Sequence, residues 1–245
     1  DIEDKWTDIP VAAPFFTSAF ADKVFSIDQD SPKFKVNDDM APEKMFQTNW
    51  KCAGTAVPVF ALRTEDSFGI GDFHDLKKLV DWVAATGQRV IQLLPVNDTT
   101  MTGTWVDSYP YSANSIYALH PQFVYLPDAG VRRDSSYKTL KAELEALPEL
   151  DYERVNKEKD RLMRKAFAST WAKVSGSAEY KKFIEDNADW LDAYCAFRIL
   201  LRKTGTGDSS KWGKYASYSA KKAASVLAEN REEADYQAFV QFHLH

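Results

Sequence analysis

The sequence predicts an α/β fold that becomes entirely helical part-way along the chain. Between residues 53 and 126 the pattern is strand, amphipathic helix, strand, and each strand leads into a loop rich in polar and aromatic residues. From about residue 135 to residue 245 only helical periodicity remains. Parallel strands joined by a helix place both of their following loops on one rim, where α/β proteins bind ligands. We therefore expect function at these two loops.

The N-terminal part of the chain, residues 1–50, is the least regular. Two short β-prone stretches, residues 24–27 and 34–36, flank a group of Asp, Ser and Pro residues and predict a hairpin. We interpret residues 1–50 as a linker or as the edge of an upstream domain.

A strand–helix–strand unit with its loops is predicted over residues 51–130. Residues 57–62, VPVFAL, are nearly all apolar and predict a strand buried on both faces. Asp72 is a favourable N-cap for the helix, whose apolar positions share one face, and Gly87 ends it. Residues 90–94 predict a second buried strand.

The remainder, residues 131–245, is predicted to be a helical subdomain. Apolar stripes over residues 162–174 and 190–201 indicate two largely buried helices. A loop at residues 205–210 precedes a last amphipathic helix, whose pattern reaches the end of the chain without a stop signal. Because two parallel strands need further partners at their edges and faces, we expect this chain to be a fragment of a larger barrel-like protein.

Composition argues against several classes of protein. The net charge is −5 and acidic and basic residues are mixed, which argues against a nucleic-acid partner. No apolar run approaches the roughly 20 residues that cross a bilayer, so we expect no membrane partner. Cys52 and Cys195 form no CxxC pair and favour free thiols in a reducing cytoplasm. The four histidines lack the spacing of a metal site.

The loop after the first strand, residues 63–72, reads RTEDSFGIGD. Its two glycines permit close backbone approach, but the third glycine of a dinucleotide-binding motif is missing. A turn followed by a helix N-cap explains the end of this loop. The better candidates for ligand contact lie nearer to the strand: Arg63, Glu65, Asp66 and Ser67.

The loop after the second strand contains the residue types that bind sugars. Asn97 and Asp98 follow the strand directly, where barrel enzymes place functional side chains, although an Asx-turn explains this pair equally well. Aromatic rings can stack on the C–H faces of sugars while neighbouring polar groups bind the hydroxyls. These residues cluster further along, in WVDSYPYS: Trp105, Asp107, Ser108, Tyr109 and Tyr111. Packing of the rings against the loop itself is an equally good interpretation at this point.

Taken together, these motifs resemble those of the 4-α-glucanotransferases, also called amylomaltases or disproportionating enzymes. The resemblance covers roughly residues 50–245 and rests on AVPVFALRTEDSFGIGDFHDLKKLVDW, VIQLLPVNDTT, DSYPYSANSIYALHP and DNADWLDAYCAFRILLRK. The WVDSYPYS loop is similar to the branch found in plant cytosolic and some bacterial enzymes. Since that branch often carries starch-binding modules ahead of the catalytic domain, the upstream domain would be of this kind.

The resemblance implies a (β/α)8 TIM barrel, of which this chain would hold the first two strands and a helical insertion after the second. It also implies a retaining double displacement on α-1,4-glucans, in which an Asp attacks, a Glu protonates the leaving sugar and a second glucan accepts the glycosyl group. No organic cofactor or metal is implied. The family's nucleophile, acid/base and third carboxylate lie on later strands, so no catalytic carboxylate is expected in this chain.

Only the second loop carries residues that match the family's substrate site. Tyr111, in the PY position, matches the active-site tyrosine near the bond-breaking subsite, and Asp107 and Ser108 adjoin it. Trp105 and Tyr109 are expected to be glucan platforms. Two alternatives stay open: a non-catalytic glucan-binding or interaction module, and a related α-glucan hydrolase that uses water as acceptor.

Overall fold

The computed structural model describes two short N-terminal strands and residues 53–245. The chain divides into two units, Asp1–Cys52 and Ala53–His245. In the first unit β1 (Val24–Ile27) pairs antiparallel with β2 (Phe34–Asn37), which confirms the predicted pairing of these stretches. The interpretation of residues 1–50 as a linker or domain edge otherwise lies outside the described residues, as does the thiol of Cys52.

The second unit begins with the predicted strand–helix–strand arrangement. Strands β3 (Gly54–Ala56) and β4 (Val90–Gln92) pair in parallel, and α1 (Phe73–Ala85) connects them. The carboxylate of Asp72 caps α1 by accepting hydrogen bonds from backbone N–H groups of its first turn. After the helix Gly87 adopts a φ of 74°, a conformation that glycine adopts without strain.

The predicted position of the first strand is wrong. Residues 57–62 do not form a strand, because Pro58 has no N–H to continue the ladder and leads into the 3-10 helix Val59–Ala61. The apolar residues of VPVFAL contribute to the core instead, with Val59 almost completely buried. The second strand ends at Gln92 rather than at residue 94. Neither strand is fully buried, because the described residues add no further strand to this sheet.

The prediction of an entirely helical second half is confirmed. Its helices are α2 (Ser135–Glu145), α3 (Tyr152–Gly176), α4 (Ala178–Asp186), α5 (Leu191–Thr204), α6 (Ala220–Glu229) and α7 (Arg231–Leu244). The predicted loop at residues 205–210 is longer and contains two 3-10 turns, Ser209–Lys211 and Gly213–Tyr215. None of the described helices combines the length and the apolar character that a membrane span requires.

One hydrophobic core joins the strand–helix–strand unit to the helices. Phe68 and Ile70, from the loop before α1, are buried in the same cluster as Val155 and Met163 of α3 and Phe239 of α7. The described residues thus form a mixed, helix-rich α/β structure with one parallel strand pair. The division of the second unit at residue 130 stays a prediction, and both sides of that position contribute to this core.

Candidate substrate-binding loops

Both candidate loops start from the carboxyl ends of the parallel strands. The first runs from β3 to α1, and the second leaves β4 and extends to the 3-10 helix Pro121–Phe123. Because the two strands point the same way, their loops leave from the same edge of the sheet. The fold therefore brings together two loops that the sequence separates by a 13-residue helix.

The polar residues of the first loop are engaged in contacts within the protein. Arg63 is 42% exposed and donates to the carbonyls of Phe60 at 2.8 Å and Leu62 at 2.7 Å. Asp66 forms ion pairs with Lys78 at 2.7 Å and Arg133 at 3.1 Å. The hydrogen bond from Lys78 is the main reason why the pKa of Asp66 lies below its ordinary value.

Two further residues of this loop are also bound to neighbouring side chains. The hydroxyl of Ser67 is buried and donates to Asp75 at 2.9 Å, and Glu65 accepts from Lys78. The groups that we expected to contact ligand here thus shape the loop, and Arg63 retains the exposure needed to reach a ligand as well.

Asp98, in the second loop, is a fully buried anchor. Its carboxylate accepts hydrogen bonds from the Tyr194 hydroxyl at 2.8 Å, from Arg198 Nη1 at 3.3 Å, and from the Thr100 N–H and hydroxyl at 3.0 and 2.6 Å. Burial acts to raise the pKa of Asp98, but the positive charge of Arg198 and the bonds from Thr100 outweigh it. The pKa therefore lies below the ordinary value, and Asp98 stays ionised. Asn97, beside it, is partly buried and pairs through its backbone with Leu119.

Asp107 is also buried, and it holds the tight turn at residues 101–103. Its carboxylate accepts from the backbone N–H groups of Met101 at 3.0 Å, Thr102 at 2.9 Å and Gly103 at 2.7 Å. Gly103 has a φ of 72°, which favours glycine at this point of the turn. Ser108, the next residue, is exposed.

The aromatic rings of this loop face outward. Trp105, Tyr109 and Tyr111 are 70%, 59% and 61% exposed, and the Tyr109 and Tyr111 rings lie 5.5 Å apart. The backbone N–H of Trp105 donates to Glu153 of α3 at 2.9 Å, which fixes the base of this aromatic segment. Exposed aromatic rings that sit together on an anchored loop are available for stacking on a ligand.

Comparison with known proteins identifies the kind of protein to which these loops belong. Residues 57–245 match the sequence profile of the 4-alpha-glucanotransferase family. The chain belongs to this family.

Two relatives from a plant and a bacterium show how much of the family's sequence is present. The chain is 36% identical to 4-alpha-glucanotransferase DPE2 of Oryza sativa subsp. japonica, over 89% of this chain and 24% of that protein. It is 31% identical to a 4-alpha-glucanotransferase of Chlamydia pneumoniae, over 67% of this chain and 32% of that protein. The chain thus spans about a quarter of one and about a third of the other of these 4-alpha-glucanotransferases.

A solved structure shows that the fold is also shared. The amylomaltase from Streptococcus agalactiae in complex with acarbose matches 79% of this chain, and the match covers 39% of the amylomaltase. The TM-score is 0.60 at 17% sequence identity, a likeness that concerns the fold alone.

Sequence reasoning missed several residues that position the second loop. The amide of Gln241 accepts from the Leu119 N–H at 3.0 Å and donates to the Leu119 carbonyl at 2.9 Å. Tyr194 and Arg198 hold Asp98 from α5. These partners lie about a hundred or more positions from the loop along the chain, so no local pattern reveals them. The one available signal was a charged residue, Arg198, within an apolar helix.

The two loops offer binding groups rather than reactive aspartates. Within the part of the chain that the structure describes, Asp66, Asp98 and Asp107 are all committed to ion pairs or hydrogen bonds with their own loops and helices. Nor do the residues described here gather three or more metal-ligating side chains at one place. The chemistry that this arrangement supports is recognition of a ligand by rings, hydroxyls and Arg63.

Proposed function

We propose that this chain forms part of the donor-sugar site of a 4-α-glucanotransferase that transfers glycosyl units between α-1,4-glucans. The observation that carries the proposal is the set of three exposed rings, Trp105, Tyr109 and Tyr111, on a loop anchored by buried carboxylates. Family membership supports the reaction class. Because the chain spans only part of its relatives, the activity is assigned to the whole protein.

In this proposal the rings and polar groups of the loops bind and orient the glucan. Trp105 and Tyr109 stack on glucosyl rings, and the Tyr111 hydroxyl lies near the bond that breaks. Ser108, Asn97 and Arg63 supply hydrogen bonds at the edges of the sugars, while Asp98 and Asp107 keep the loop in shape. The double displacement itself uses an Asp nucleophile and a Glu acid/base from later strands, with a second glucan as the acceptor.

We also propose a place for this chain within a complete catalytic domain. Strands β3 and β4 are the first two strands of a (β/α)8 barrel, and α2 to α7 form the subdomain inserted after the second strand. The parallel pairing and the fold likeness to amylomaltase support this assignment. Residues 1–50 are a linker or the edge of an upstream, starch-binding domain, and the protein acts in the cytoplasm.

The experiment that tests the function is a disproportionation assay on maltotriose, run on the whole protein and on the 245-residue chain in parallel. Glucose together with longer maltodextrins, from the whole protein only, is the expected result. Glucose and maltose without longer products would identify a hydrolase. Binding of maltodextrin without turnover by either preparation would favour the non-catalytic module. Turnover by the 245-residue chain itself would show that the missing carboxylates had been wrongly assigned to later strands.

A further inference from the structure

We propose that a second cavity, separate from the aromatic loop, binds a neutral and hydroxyl-rich ligand, namely a glucosyl or maltosyl unit. The cavity lies between α3, α5 and α7, against the turn at residues 101–103, and has a volume of about 400 Å³. Ligand sites in proteins typically occupy roughly 300–1,000 Å³. Trp105, Tyr109 and Tyr111 do not line it. The choice of a sugar as the ligand rests on the proposed function; the neutral, polar character of the site does not.

The lining combines an apolar part with hydrogen-bonding groups. Met163, Leu201 and Val240 supply the apolar surface, and the polar lining includes Asn156 and Arg198. Sugars present the same combination, with C–H faces and a rim of hydroxyls, so the lining matches a saccharide in kind. An entirely apolar ligand would leave the polar groups without partners.

The charges around the cavity are neutralised within the protein. Arg198 pairs with Asp98 at 3.3 Å, Arg202 with Glu233 at 3.5 Å and Asp160 with Arg164 at 3.0 Å. Lys159 lies 3.7 Å from Asp72. A charged ligand would therefore lose its hydration without meeting a free counter-charge, whereas a neutral ligand avoids this cost.

Asn156 offers a polar atom that is left to bind a hydroxyl group. It donates through Nδ2 to the Tyr152 carbonyl at 2.8 Å, and its Oδ1 is suited to accept from a hydroxyl of the ligand. The Arg198 guanidinium is occupied within the protein, since Nη1 donates to Asp98 and to the Thr100 carbonyl and Nε is fully buried.

The test is titration of maltose into the 245-residue chain by calorimetry, in a Trp105→Ala, Tyr109→Ala, Tyr111→Ala background that removes the three rings of the aromatic loop. Asn156→Trp should fill the cavity and weaken maltose binding at least tenfold. The matched control is Lys157→Trp, at the neighbouring exposed position of α3, which lies outside the cavity and should leave the affinity unchanged. Asn156→Leu, close to asparagine in size and favourable in a helix, removes the acceptor and should weaken binding by a smaller factor.

Absence of maltose binding in the triple-alanine background would overturn the proposal, and so would equal affinity of the Asn156→Trp and Lys157→Trp chains. Displacement of maltose by inorganic phosphate would show an anion site and overturn the neutral assignment. Each result is independent of the maltotriose assay, so failure of the cavity and failure of the proposed transferase activity are told apart. Circular dichroism of every variant confirms that the helices have formed.

Discussion

Individual side chains divide the second loop into an inner layer that holds its shape and an outer layer that is free to bind. Asp98 and Asp107 are buried and satisfied by hydrogen bonds, whereas Trp105, Tyr109 and Tyr111 are exposed. The same stretch of sequence thus carries two kinds of residue with different roles. Substitutions in the inner layer should affect stability, and substitutions in the outer layer should affect function.

Asp107→Ala tests the inner layer. Removing the carboxylate leaves the N–H groups of Met101, Thr102 and Gly103 without their acceptor, so the free energy of unfolding should fall by about 1–3 kcal/mol. Urea denaturation measures the change. The matched control is Ser108→Ala, at the neighbouring exposed position, which should change stability by less than about 0.5 kcal/mol. Equal stability of the two variants would contradict the anchoring role of Asp107.

Tyr111→Phe tests the outer layer in the whole protein. The substitution keeps the ring and removes the hydroxyl, so turnover of maltotriose should fall more than substrate binding weakens. A lost hydrogen bond to a charged transition state is worth about 1.5–3 kcal/mol, which corresponds to roughly a 10- to 150-fold lower kcat. Steady-state kinetics separates kcat from KM. An unchanged kcat would remove Tyr111 from the proposed site.

His120 should make stability depend on pH. Burial lowers the pKa of His120 to about 4, against about 6.5 in an unfolded chain, and the charged groups facing it are Asp98, Asp107, Arg198 and Lys159. As the pH falls from about 6.5 to about 4, the unfolded chain binds a proton that the folded chain does not. The free energy of unfolding should therefore decrease, by up to about 1.4 kcal/mol per pH unit, with no effect of His120 above this window.

Urea denaturation between about pH 7 and about pH 5 measures this pH dependence. His120→Gln removes the titrating group and should flatten the slope. It should not abolish the slope, because burial also lowers the pKa of His243 to about 4. Identical slopes for the native and the substituted chain would show that His120 does not contribute.

Between elements, the second loop depends on helices that lie far along the chain. Helix α5 contributes Tyr194 and Arg198 to Asp98, and α7 contributes Gln241 to Leu119. The loop after β4 is thus fixed by side chains of the helical part as well as by its own residue Asp107. Substitutions in α5 should therefore disturb the loop without replacing any of its exposed rings.

Arg198→Met tests this link between α5 and the loop. It leaves the buried Asp98 carboxylate without its counter-charge, so the free energy of unfolding should fall by about 3–5 kcal/mol. Adding Asp98→Asn removes the uncompensated charge and should restore part of this loss. Thermal unfolding of both single variants and of the double variant gives the coupling energy. Strictly additive effects would mean that the two groups do not interact.

Across the whole second unit, Ala53–His245, one core serves both the strand–helix–strand part and the helices. Phe68 and Ile70 share their cluster with Met163 of α3 and Phe239 of α7. Two smaller clusters, around Trp190 and around Ile199, lie mainly among the helices, but the strand–helix–strand part has no core of its own among these residues. We therefore expect the unit to unfold in a single step. The predicted boundary at residue 130 would then separate two parts of one cooperative unit.

For the second unit as a whole, we predict that two spectroscopic probes report the same unfolding transition. Far-ultraviolet circular dichroism reports mainly the helices, and fluorescence of Trp105, on the loop after β4, reports the strand–helix–strand part when other Trp residues are replaced by Phe. The two denaturation curves should coincide within error. Separate midpoints would show that residues 51–130 and 131–245 unfold as independent domains.

Much of the element order was predictable because local rules govern it. Helix α1 begins after Asp72 and ends before Gly87 as capping preferences require, and the structure contains the helices that the periodicity after residue 135 predicted. The strand predicted at residues 57–62 was wrong because hydrophobic runs resemble buried strands even when they belong to a turn in the core. Pro58 was the available warning, since it cannot continue a hydrogen-bonded ladder.

The aromatic and polar composition of the second loop, and the family motifs around it, were readable from the order of residues alone, because they depend on which side chains are present. The sequence did not show which of those side chains face outward. Asp98 is an internal anchor because Tyr194 and Arg198 of α5 contact its carboxylate, whereas Asp107 bonds to the turn at residues 101–103 within the loop itself. The partners of Asp98 lie about a hundred positions away along the chain, and such contacts are set by the packing of the folded chain.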